Sequence, residues 1–117
     1  MLAWLMAGHL VGDFLLQNKW MSENKEKNIV PLLTHSAFYS AAVWLFSFGS
    51  GGLDWKSVSL IFVTHIILDN RKFVRWWSKN VTRSFPSKTL VMMIDQTWHV
   101  VALVLACLLD SFLKGAL

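Results

Sequence analysis

The chain has 117 residues, 55% of them hydrophobic and 15% charged, with a net charge of +4. One domain fits that length, and so oily and sparsely charged a composition excludes an ordinary soluble domain. Cys107 is the only cysteine, which excludes an intrachain disulfide and a thiolate metal cluster.

Four apolar segments follow in chain order. They predict an all-α polytopic membrane protein, a four-transmembrane-helix bundle forming a single domain over residues 1–117. The first helix is expected over residues 1–16. At roughly 24 Å it is short against a hydrocarbon core of about 30 Å. It has no basic leader and no small-residue cleavage site, so it reads as part of the working protein and not as a signal peptide. Gly8 and Gly12, four apart, let a neighbouring helix approach closely. The second helix is expected over 29–48, with Pro31 in its first turn, where proline is tolerated, and glycines after its end. The third is expected over 55–74 and the fourth over 89–113, after Pro86. Glu23, Glu26, Asp54 and Asp110 fall in loops or near helix ends and read as solvated.

Basic residues orient the bundle. Lys19, Lys25 and Lys27 lie between the first two helices, and Arg71, Lys72, Arg75, Lys79, Arg83 and Lys88 between the last two, against Lys56 and Lys114 on the other side. The positive-inside rule then puts both basic loops in the cytoplasm and both termini outside it. Residues 72–79, basic and aromatic, read as a segment lying in the headgroup layer. Because the cations flank apolar runs, the expected partners are membrane lipids with anionic headgroups and not nucleic acid. A homo-oligomer is left open.

Three of the four histidines stand four residues from an aspartate: His9/Asp13, His65/Asp69 and Asp95/His99. At that spacing the two side chains share a helix face. His35 stands alone in the second helix. All seven fall in the cytoplasmic halves of their helices, with each aspartate nearer the cytoplasm than its histidine. Burying such groups without partners is costly, and a metal ion is the simplest compensation. Imidazole and carboxylate suit zinc first, with manganese or iron as alternatives. Seven donors exceed one tetrahedral zinc, so the expectation is one or two ions, with any surplus donors orienting the ligands. Asp13, Asp69 and Asp95 are candidates for a bridging ligand or general base. Gln17, Gln96 and Tyr39 are expected to support the ligands, and Arg71 and Lys72 to hold a phosphate or headgroup.

These residues carry a resemblance. His9, Gly12, Asp13 and Gln17, then Lys25 and His35, then His65, Asp69 and Lys72, then Asp95, Gln96 and His99 resemble the pattern of the bacterial and phage domain-of-unknown-function family 3307, over nearly the whole chain. The resemblance implies a small polytopic protein of the bacterial inner membrane, and no settled activity. More loosely, intramembrane His/Asp sites are similar to membrane-bound metal-dependent hydrolases. The expected function is therefore hydrolysis of a lipid or lipid-linked ester or phosphoester at the cytoplasmic face, a metal ion activating water. The alternatives are a non-enzymatic protein that binds or passes divalent metal or protons, and a small subunit of a membrane complex.

Overall fold

The computed structural model describes residues 1–115. Among them all regular structure is helical. Helix α1 (Leu2–Leu10) continues into a wider π turn (Val11–Leu15), and a short α2 (Lys19–Asn24) follows. The long α3 (Ile29–Ser47) ends in a 3-10 turn (Phe48–Ser50). Then come α4 (Trp55–Asp69), α5 (Lys72–Asn80) and α6 (Lys88–Leu113). Helix starts are set by side-chain caps: Asn18 accepts from the amide of Met21, Asn28 from Val30, Asp54 from Lys56 and Ser87 from Leu90.

Two sequence expectations change here. The first helix is not regular through residue 16. The amide of Leu16 bonds the carbonyl of Val11, five residues back, which widens the last turn. The third helix does not reach 74. It stops at Asp69 because Asn70 accepts from the amide of Lys72 while Arg71 takes a left-handed conformation, φ 64°. That geometry costs a non-glycine residue about 1–2 kcal/mol, and it frees α5 to run separately against α6.

The four longer helices form a closed ring, with α1 on α3, α3 on α4, α4 on α6, and α6 back on α1. The α1–α3 seam is the tightest. A methyl at Gly8 would lie 2.7 Å from the Cα of Val43, and one at Gly12 2.9 Å from the ring of Tyr39. An apolar core of Leu5, Tyr39, Val43, Leu53, Ile61, Leu103 and Ala106 fills the middle. Side-chain polarity is otherwise inverted. Among the described residues, buried polar and charged side chains are as numerous as buried apolar ones, while many large apolar side chains are exposed, including Phe14, Leu45, Trp55, Ile67 and Phe112. Water would not tolerate so much exposed apolar surface on a monomer. Two helices are long and apolar enough to cross a membrane, Ile29–Ser50 and Lys88–Leu113, and Leu2–Leu15 is a shorter apolar helix.

The polar residues buried at the two ends differ. At one end Asp110, predicted to be solvated, is buried. It accepts from the amide of Asp54 at 2.8 Å and pairs with Lys114 at 2.9 Å, and Lys114 donates to the carbonyl of Gly52 at 2.6 Å. Ser47 accepts from the amide of Leu53 alongside. This clasp ties the α3–α4 turn to the end of α6. The histidines and the other buried aspartates gather toward the opposite end.

Candidate metal centre

The bundle brings the predicted donors together from all four longer helices. His9 comes from α1, Asp13 from the π turn, His35 from α3, His65 and Asp69 from the last turns of α4, and Asp95 and His99 from α6. All seven are buried. Two groups overlap at Asp69: Asp13, His35, His65 and Asp69 in one, and Asp69, Asp95 and His99 in the other.

In the first group, His35 Nε2 lies 3.1 Å from Asp13 Oδ1 and 3.1 Å from Asp69 Oδ2. His65 Nε2 lies 3.5 Å from Asp69 Oδ2 and 3.9 Å from Asp13 Oδ1. Four donors on a tetrahedron about 2.1 Å from its centre would stand about 3.4 Å apart. The four measured separations bracket that value. Two carboxylate oxygens converging on one imidazole nitrogen call for an N–H on that nitrogen, shared between them, or for a metal ion.

In the second group, His99 Nδ1 donates to the backbone carbonyl of Asp95 at 2.7 Å, which fixes the tautomer and leaves Nε2 bare, 3.7 Å from Asp69 Oδ1. His65 Nε2, His99 Nε2 and Asp95 Oδ1 are buried with no hydrogen-bond partner. Unpartnered buried polar atoms of this kind are uncommon in folded proteins, and their convergence around Asp69 suits them to hold a cation.

His9 is placed differently. Its Nδ1 is 2.8 Å from the hydroxyl of Tyr39 and its Nε2 2.9 Å from Gln96 Oε1. With Gln96 accepting, Nε2 carries the proton and Nδ1 accepts from Tyr39. Both nitrogens are then occupied, and His9 belongs to neither group of converging donors. Gln96 in turn donates to Asp95 Oδ2 at 3.3 Å. A chain Tyr39–His9–Gln96–Asp95 thus props the second group, and the Tyr39 ring stacks on His65 at 3.8 Å. Asp13, on the π turn, stays 3.6 Å from His9 Nδ1, the same spacing as the other two pairs at 3.5 and 3.7 Å, while its Oδ1 reaches His35.

One participant, part of the family pattern, is not assigned to the site from the sequence. Lys25, counted there among the loop cations, is buried, with its ammonium 2.8 Å from Asp69 Oδ2 and 2.7 Å from Gln17 Oε1. Only the return of the α2–α3 connection over the cluster brings it in. Gln17 thereby meets the cluster through Lys25. Arg71, Lys25, Gln17, Asp13, Asp69 and Asp95 line a small cavity of about 60 Å³, room for a few waters, at this end. Lys72 is exposed and lines a separate surface hollow beside Asn28 and Leu32.

A ring of helices with an apolar exterior and a buried, under-satisfied cluster of histidine and aspartate defines the class: a small all-helical protein with residues able to hold a metal ion. Within that class, the chain belongs to the protein family of unknown function DUF3307, whose family model matches residues 1–115. No curated protein and no solved structure matches it.

Proposed function

We propose that this chain is a four-span protein of the bacterial inner membrane that holds a divalent metal ion at its cytoplasmic end and hydrolyses an ester or phosphoester of a lipid or lipid-linked substrate. One observation carries the reading: bare, buried histidine nitrogens and carboxylate oxygens converge at metal-ligand spacing inside a bundle whose outside is apolar. Helices α1 with its π turn and α4 are about 21–23 Å long. They fit a bilayer locally thinned, or with the interfacial helices α2 and α5 completing the depth.

Asp13, His35, His65 and Asp69 are the first ligand set, and His99 and Asp95 extend it through Asp69. When bound, the ion supplies a Lewis acid and an acidified water. Asp95, whose Oδ1 has no hydrogen-bond partner and which lines the mouth cavity, is the group suited to take a proton from that water. Arg71 at the same mouth suits an anionic ester oxygen. Beside it α5 carries Lys72, Arg75 and Lys79 with the exposed Trp76, a composition for the headgroup layer. A groove of about 450 Å³ lined by Trp77, Leu90, Met93, Ile94 and Trp98 suits an acyl chain.

The second reading, proton or metal passage, has one observation in its favour: His35 Nε2 between two carboxylates is a proton-holding geometry. The core of Leu5, Val43, Ile61, Leu103 and Ala106 weighs against it, since it separates the cluster from the clasp end and favours access from one side. Elemental analysis of detergent-purified protein, with His65→Ala and Asp95→Asn beside it, tests the metal. Near-stoichiometric zinc, manganese or iron, reduced in both variants, supports the centre; no metal after reconstitution overturns it. Release of product from lipid ester and phosphoester substrates, dependent on the metal, then separates an enzyme from a binding protein.

A further inference from the structure

Resting on the metal reading above, we infer that Lys25 is a tethered cation that limits the centre to a single divalent ion. The overlapping groups hold donors enough for two ions sharing the Asp69 carboxylate, one at Oδ2 and one at Oδ1. The charge count is what restricts them. Asp13, Asp69 and Asp95 bring three negative charges. Lys25, nearly fully buried, returns one by pairing with Asp69 Oδ2, and Gln17 holds it there through a hydrogen bond to its ammonium. The remaining two charges match one divalent ion. Arg71 lines the mouth, half-buried, but makes no ion pair with any of the three carboxylates among the described residues.

A second ion would bind against both the first ion and a lysine ammonium on the shared carboxylate, in surroundings where charge is weakly screened. Removing the ammonium while keeping length and polarity should therefore open the second position. A flexible loop cation would not be buried to this extent without a role, because an unneeded lysine would leave its ammonium in water.

The test is metal stoichiometry and affinity, measured with zinc and with manganese on detergent-purified wild type, Lys25→Gln, Lys25→Arg and Asp69→Asn. Wild type and Lys25→Arg are expected to hold one ion per chain. Lys25→Gln is expected to hold two, the second bound about 100-fold more tightly than in wild type or better. Asp69→Asn should weaken binding by at least about 100-fold. One ion at unchanged affinity in Lys25→Gln, or two ions already in wild type, overturns the role of Lys25 and leaves the metal centre standing. No metal in wild type and in Lys25→Gln overturns both. Lys25→Arg, which keeps the charge, separates the charge effect from misfolding, as does an unchanged helical circular dichroism spectrum.

Discussion

The bundle buries two polar centres, and they are built on opposite principles. In the clasp, Asp110, Lys114, Asp54, Gly52, Ser47 and Leu53 satisfy one another with short hydrogen bonds and one ion pair. In the cluster, His65, His99 and Asp95 leave buried atoms without partners. Folding alone selects the first arrangement, because every unpaired buried polar atom costs about 1–3 kcal/mol. The second persists only where something outside the chain completes it or where chemistry requires the exposed lone pair. Burial alone therefore does not mark a site in this protein, and neither does a lone unsatisfied atom, since the hydroxyls of Ser36, Ser40 and Ser57 are also buried without partners. Unsatisfied ligand atoms converging within 4.8 Å of one another do.

The contrast can be broken experimentally, and the largest effect is expected from Asp69→Asn, which serves both donor groups. Metal affinity should fall by at least about 100-fold, measured by competition with a chelating dye; the apo-protein's melt should drop as well, because the buried Lys25 ammonium loses its carboxylate. Asp110→Ala should touch stability alone. It strands the amide of Asp54 and takes one of two partners from Lys114, so stability should drop by about 1–3 kcal/mol while metal content holds. A thermal melt in detergent beside elemental analysis reads both. If Asp110→Ala removed the metal and left the melt unchanged, the division between clasp and cluster would fail.

Gly8→Ala should sharpen the comparison by disturbing geometry without touching a donor. Its methyl meets the backbone of Val43 at 2.7 Å, so α1 must shift off α3, at a cost of about 1–3 kcal/mol. Since Asp13 rides on the same helix, metal affinity should weaken along with the melting temperature. His9→Gln is expected to be milder. His9 props Asp95 through Gln96 and takes no place among the converging donors, so affinity should fall by about 10-fold, the scale of a ligand-supporting partner, with stoichiometry retained. Smallest of all, Lys72→Ala should leave metal binding within error, because Lys72 faces a different hollow from the cluster.

Much of this was legible in the sequence. Spacing by four marked the histidines and aspartates, apolar runs marked the helices, and the glycine pair marked the α1–α3 seam. What escaped has physical reasons. The end of α4 carries no glycine or proline, only Asp69-Asn70 between apolar and basic residues, and the asparagine cap with the left-handed Arg71 stops it. Asp110 near a helix end resembles a solvated residue until the α3–α4 turn folds onto it. Lys25 sits in a loop that reads as water-exposed, and its burial depends on contacts with residues more than forty positions away. Spacing by four held for all three pairs, His9 and Asp13 included, but it could not show that Tyr39 and Gln96 take up both ring nitrogens of His9.

The wide turn at Val11–Leu15 has a genetic side. A π turn holds one residue more than the α-helical turn it replaces and absorbs it locally. Deleting one position there, other than Asp13, restores 3.6 residues per turn while the helix before it keeps its seat on α3. In an alignment such a change would show as a one-residue gap at the end of α1, with every histidine and aspartate still in place.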